Sequence, residues 1–165
     1  FPPYGSLTAV FPGALLAGWV APRESETYDA IVNAYDVNDF DRDGVSAGVD
    51  CNDSDPTLKT IPQDVVGLTM SKVAGATRLA WTSEDPTAGS ATSYDSTRGL
   101  LSALRSSGNF GGATCLVNDL PDTPYDDSSA NPPVGDGYWY LVRGQNACGT
   151  GTYGRSSLDA ASPCP

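Results

Sequence analysis

The sequence predicts an all-β protein: a sandwich of short antiparallel strands preceded by an N-terminal β segment and an irregular acidic loop. Three observations lead there. Eighteen Gly and thirteen Pro cut the 165 residues into short pieces, and both residue types mark turns. Between them lie runs rich in β-branched and aromatic residues that alternate apolar and polar, the period of a half-buried strand. The acids are lopsided, 17 Asp against 3 Glu. Asp suits turns and oxygen-lined cation loops, whereas Glu suits helices.

Residues 1–38 read as three short strands. The first covers 7–11 and meets a turn signal at Pro12-Gly13; the second covers 14–20. The third covers 30–37, where Tyr28, Ile31, Val32 and Tyr35 have helical spacing but β-branched content and alternation favour a strand. Three strands rarely make a stable core alone. This segment must therefore pack on the rest of the chain or on another chain.

Residues 36–64 concentrate the charge. Eight Asp face only Arg42 and Lys59, a net −6 of the chain's −11. The spacing within this run argues for more than a solvated linker. From Asp39 to Asp50 it has the register of an EF-hand loop, with carboxylates at positions 1, 3, 5 and 12 and glycine at 6. Alternate carboxylates Asp39, Asp41 and Asp43 on a curling chain point to one centre. Gly44 permits the sharp turn, Val45 would add its backbone carbonyl, and Asp50 closes the loop. Ala47 offers no side-chain ligand, so water is expected there. Asp53 and Asp55 follow and either complete this site or begin a second through Asp50. The ion such a set suits is Ca2+, which takes six to eight oxygens. Pro56 and Pro62 oppose a following helix. Without flanking helices to open, the ion's expected role is a structural staple rather than a signal.

Residues 62–165 supply seven candidate strands at 65–70, 78–82, 93–100, 114–118, 123–126, 138–146 and 153–157. Turn signals at 84–90, 106–112, 128–137 and 149–151 separate them. Seven short alternating strands fit an immunoglobulin-like sandwich. In the strongest, Tyr138, Tyr140 and Val142 share the face expected in the core together with Trp81. Trp139, Leu141 and Arg143 take the other face.

Two features resemble known families. The stretch from Asp39 to Pro56, D-x-D-x-D-G-x5-D-C-N-D-x-D-P, resembles the Asp-rich metal-binding motif of many bacterial secreted proteins, akin to dockerin and thrombospondin type 3 calcium loops. Asp at position 12 in place of Glu is a feature of dockerin-type loops. The remainder resembles a fibronectin type III domain through Gly67-Leu68, the strand around Trp81, Tyr94-x-x-x-Arg98-Gly99 and the aromatic strand ending at Asn146. The segments around Cys115 and from Asn146 to Tyr153 look like the bacterial surface-protein version. Together the likeness covers residues 39–165 and implies extracellular, calcium-stabilised, non-catalytic modules. It names no ligand. Gly144, where alanine is usual, implies looser packing.

The domain organisation expected is thus a strand segment at 1–38, a calcium loop and linker at 39–61, and the sandwich at 62–165. Four cysteines without a C-x-x-C pair or any histidine argue against zinc and for two disulfides formed in an oxidising compartment. Cys115 and Cys148 both belong to the sandwich, which suggests Cys115–Cys148 and Cys51–Cys164. The charge of −11 argues against nucleic acid and anionic membranes as partners. The longest apolar stretch, 7–20, is broken by Pro12, Gly13 and Gly18, so no membrane insertion is expected. The chain opens at Phe1 rather than Met, as a mature product or an excised segment would.

Absence of histidine removes Ser-His-Asp and Cys-His catalysis. The acids cluster where the spacing already suits a cation, so no enzyme is expected. Two readings remain. One is a structural surface protein whose segment 7–20 adds as a strand to a neighbouring copy, with Leu15 and Trp19 at the contact; such a head-to-tail joint makes a filament. The other is a monomeric adhesive module that presents Tyr4, Trp19, Trp139 or Tyr153 to a carbohydrate or protein.

Overall fold

The computed structural model describes residues 6–11, 14–22, 28–36, 38–154, 156–161 and 163–165, the first three stretches by backbone alone. The chain divides into two compact units, Phe1–Pro56 and Thr57–Pro165.

In the first unit, strands β1 (Ser6–Phe11), β2 (Ala14–Pro22) and β3 (Tyr28–Asp36) form an antiparallel meander in that order. The third segment is a strand despite its helical spacing. Its pairing partner is β2, with Leu15 opposite Tyr35 and Trp19 opposite Ile31. β2 also pairs with β1, where Leu15 meets Val10 and Trp19 meets Ser6. Both edges of β2 are therefore in use, which corrects the expectation that Leu15 and Trp19 sit on a strand free to join a neighbour. Any strand addition from this sheet must run through β1 or β3. The acidic segment follows; residues 38–68 contain turns and bends but no helix or strand.

The second unit is an all-β sandwich of seven strands. One sheet has the order β4-β5-β8, the other β10-β9-β6-β7. β4 (Thr69–Val73) and β5 (Ala76–Ala80) form a tight hairpin. Its two turn residues, Ala74 and Gly75, have φ 48 and 91. Positive φ at both positions matches the twist of the flanking strands and fixes the register, which moves both strands from the positions expected at 65–70 and 78–82. β6 (Ser93–Leu100) and β9 (Tyr138–Asn146) fall where the alternation put them. β7 (Thr114–Leu120) bends through two register shifts against β6, and β8 (Tyr125–Asp127) is short. Three strands lie in one sheet and four in the other.

Both sheets supply the core. Leu79 from β5 and Trp81 just after it meet Tyr94 from β6 and Tyr140 and Val142 from β9, all buried. Trp81 and Tyr94 pack edge to face with centroids 5.3 Å apart. Tyr138 packs partly buried against the same cluster, so the assigned core face of β9 holds. Residues 57–61 belong to this unit rather than to a linker. Leu58 is buried, and backbone bonds from Lys59 to Ala88 and from Ala91 to Thr57 dock the segment beside helix α1 (Asp85–Ala88). Gly144 is tightly rather than loosely packed: a Cβ there would lie 2.8 Å from Cβ of Pro62.

The last expected strand, 153–157, does not form. β10 is only Gly149–Thr150, and the chain then turns over the outer face of the four-stranded sheet into helix α3 (Ser156–Ala161). Tyr153 donates its N–H to Asp159 Oδ1 at 2.7 Å. Under this tail lies a second buried cluster. Arg143 Nε meets Asp95 Oδ2 at 2.9 Å, and Arg143 Nη2 donates to the Cys164 carbonyl at 3.1 Å. The Tyr153 ring covers the guanidinium at 4.8 Å.

The tail is tied down by a disulfide between Cys115 and Cys164, with Cα atoms 4.9 Å apart. Cys51 and Cys148 are also oxidised, and no cysteine is free. This overturns the expected Cys115–Cys148 and Cys51–Cys164 pairs. Cys115 lies in β7 opposite Thr97 of β6, whereas Cys148 follows the far end of β9. β6 separates those two strands, which already exceeds the ~4.4–6.8 Å between Cα atoms that a disulfide spans.

Candidate metal centre

Residues 38–56 fold upon themselves through their own aspartates. Each carboxylate of the D-x-D-x-D-G run turns back on the backbone ahead of it. Asp43 N–H donates to Asp41 Oδ1 at 3.1 Å, and Val45 N–H donates to Asp43 Oδ1 at 2.8 Å. Gly44 N–H reaches back to Asp39 Oδ2 at 3.1 Å. The first two are Asx turns, the local preference that makes Asp a turn former. Arg42 and Gly44 take φ of 65 and 91, so the chain curls tightly through the left-handed region. Burial alternates along it, with Asp39, Asp41, Asp43 and Val45 half-buried and the residues between them exposed.

A turn at Ser46, which accepts from Val49 and Asp50 N–H, brings Asp50 back. Asn52 N–H donates to Asp50 Oδ1 at 2.8 Å, and Phe40 N–H donates to Asp53 Oδ1 at 2.8 Å. The second link closes the loop by tying its start to the residues after position 12.

The consequence is a division of labour within each carboxylate. One oxygen is held by backbone N–H. The other, in Asp39 (Oδ1), Asp41 (Oδ2), Asp43 (Oδ2) and Asp50 (Oδ2), is shielded from solvent and has no hydrogen-bond partner. Two overlapping groups have oxygens within 4.8 Å of one another: Asp39, Asp41 and Asp43, and Asp41, Asp50 and Asp53. Asp41 belongs to both. Shielded acceptors without a donor are costly and uncommon, and several convergent anionic oxygens repel one another. Burial raises the Asp41 carboxyl above the ordinary carboxylate range, opposed by the Asp43 N–H and reinforced by the charges of Asp43, Asp50 and Asp39. A hard cation fits this donor set, which is all oxygen, anionic and already oriented.

Of the seven metal-ligand candidates read from the sequence, five are brought together. Val45 is half-buried and its N–H serves Asp43. Asp55 stands outside both oxygen groups. What the spacing alone did not supply is the share taken by backbone N–H groups of Phe40, Gly44 and Asn52. The Asp-x-Asn step at residues 50–52 was the available signal for the last of these.

The aromatic candidates divide. Tyr153 is buried over Arg143 and cannot be a docking surface. Trp139 packs edge to face on Phe110 with centroids 5.0 Å apart. Tyr4 lies outside the described residues, as does the side chain of Trp19.

No family model matches the chain. No curated protein matches it. A solved structure, "The crystal structure of a Fn3-like protein from Clostridium thermocellum", is similar at 20% identity over 56% of this chain and 88% of that one, with a TM-score of 0.39.

Proposed function

We propose that the chain is a non-catalytic extracellular module, stabilised by calcium in the loop from Asp39 to Asp53, that joins copies of itself through strand edges. The observation that carries the calcium reading is the set of four shielded carboxylate oxygens with no partner. Calcium satisfies them and neutralises a segment that otherwise repels itself. An all-oxygen, acidic set of several carboxylates favours it over magnesium, which demands near-octahedral geometry and keeps most of its water. Oxidised cysteines are those of a non-cytoplasmic protein, and among the described residues no helix is long and apolar enough to cross a membrane.

The ion's role in this reading is mechanical. It converts a run of like charges into a rigid connector. Extracellular modules of this kind bind calcium at about 10⁻⁴–10⁻³ M. At 10 mM calcium the native state then gains about 1.4–2.7 kcal/mol by mass action. Chelation should therefore lower the melting temperature and open residues 35–62 to proteases, while calcium restores both. A melting curve and digestion pattern unchanged after confirmed metal removal would rule the reading out.

Self-association is favoured by the meander, whose outer strands β1 and β3 each have one unpaired edge among the described residues. Exposed strand edges invite pairing. If the chain is instead a monomeric binding module, sedimentation at rising concentration gives one species throughout.

A further inference from the structure

We infer that the acceptor for self-association is the open edge of β9 at residues 138–143, and that its occupant is β1 of a second copy. This rests on the self-association reading above and specifies its joint.

The sandwich is missing most of one strand. β10 pairs with β9 only at Gly149–Asn146 and Thr150–Gln145. One more bond, from Gly151 N–H to the Gly144 carbonyl, ends the contact at 2.9 Å. The chain then leaves for the outer face of the sheet, where Tyr153, Leu158 and Cys164 are buried. Along residues 138–143, β9 pairs with β6 on one side, and among the described residues no strand pairs with the other.

Two cavities flank this stretch. Leu141 and Val142 line one, together with Val65, Leu68 and the chain's own residues Thr152 to Gly154. Tyr138 and Tyr140 line the other, opposite Lys72 and Thr77. The unpaired edge thus carries backbone groups along its length and a separate side-chain pocket toward each end. That combination takes an extended segment, through main-chain bonds and alternate side chains.

The chain itself holds a fitting segment. β1 is six residues long, Ser6–Phe11, and so is the open stretch of β9. β1 is the outer strand of its meander, so among the described residues one of its edges is unpaired. Its sequence, SLTAVF, carries no charge. On a molecule of charge −11 most of the surface repels a second copy, and an uncharged strand is the part that approaches at least electrostatic cost. Donor and acceptor lie in different units of the chain, so the contact is head to tail and leaves a free donor and a free acceptor at the ends.

The test is hydrogen exchange with mass spectrometry on the full chain in calcium, across a concentration series followed in parallel by sedimentation. Alternate amides of an antiparallel strand face the added partner. As oligomers form, peptides covering 138–143 and 6–11 should slow together, by roughly tenfold at those amides, while the opposite edge strand β7 stays unchanged. Oligomers that leave 138–143 unprotected would overturn the assigned joint and keep self-association. Protection of 138–143 already complete in the dilute monomer would also overturn it, since the position is then filled within one chain. A single sedimenting species at every concentration would remove self-association itself and the joint with it.

Discussion

Replacing Asp95 with Ala should destabilise the protein by about 3–5 kcal/mol, the cost of leaving a buried charge without its partner. Asp95 is fully buried and Arg143 is 5% exposed. Asp95 accepts from Arg143 Nε through one oxygen, and from Asp119 N–H and Gln145 Nε2 through the other. Its removal strands the Arg143 Nε donor under the C-terminal tail and takes an acceptor from Asp119 N–H and Gln145 Nε2. Asp95→Asn keeps an acceptor and should cost less. A double replacement of Asp95 with Leu and Arg143 with Met should recover much of the loss, because apolar residues of similar volume often substitute for a buried pair at little cost. The readout is the urea midpoint with its slope unchanged. A loss below about 1 kcal/mol for Asp95→Ala would mean that water reaches the pair and that the tail does not cover it.

The second large effect belongs to the clasp that holds the tail. Cys115 and Cys164 are 49 residues apart in sequence, and closing a loop of that length restricts the unfolded chain by about 4 kcal/mol in the chain-entropy account. Replacing both with Ser should lower stability by about 2–4 kcal/mol. The effect should be less than additive with Asp95→Ala, because both act through the same tail. Arg143 donates to the carbonyl of Cys164 itself. Non-reducing peptide mapping of the native protein should return Cys115 linked to Cys164. A Cys115–Cys148 peptide would refute the placement of the tail over the sheet.

Where the sequence was legible, short-range physics decided the outcome. β9 begins after Gly137 with a dense run of aromatic and branched residues, Tyr138 to Val142, and its start follows directly. The loop at Asp39–Asp50 is legible because Asx turns are local: Asp41, Asp43 and Asp50 each bond the backbone two residues ahead. Features set by distant partners were not legible. The strand expected at residues 153–157 rests on Tyr153 alone, yet Tyr153 covers Arg143 and the tail follows Cys164 to Cys115, so tertiary packing decided the outcome. The disulfide pairing depends on distant partners in the same way, since only the order β10-β9-β6-β7 keeps Cys115 and Cys148 apart. Helix α2 (Leu101–Ser107) had a readable signal. Leu101 and Leu104 share a helical face, and Gly108 ends the helix at φ 66, the usual left-handed stop.

The charged interior of the sandwich adds a pH dependence to the same picture. Burial pushes the Asp127 carboxyl up, but hydrogen bonds from Ser129 and Tyr140 and the charge of Arg98 bring it below the ordinary range. A carboxyl held low in the folded state contributes stability above its unfolded pKa, about 3.9, and loses it as pH falls through its folded value. Acid should therefore loosen the Arg98–Asp127 link only below the ordinary carboxylate range.

Calcium binding in the loop from Asp39 to Asp53 should centre on Asp41, the carboxylate common to both oxygen groups. Calorimetric titration of calcium into metal-free protein, wild type beside Asp41→Ala, tests it most directly. Wild type should bind saturably with a dissociation constant near 10⁻⁴–10⁻³ M. Asp41→Ala should show no saturable heat, while its far-ultraviolet dichroism in chelator matches that of wild type. Absence of binding by the wild type, or equal binding by Asp41→Ala, would contradict the account.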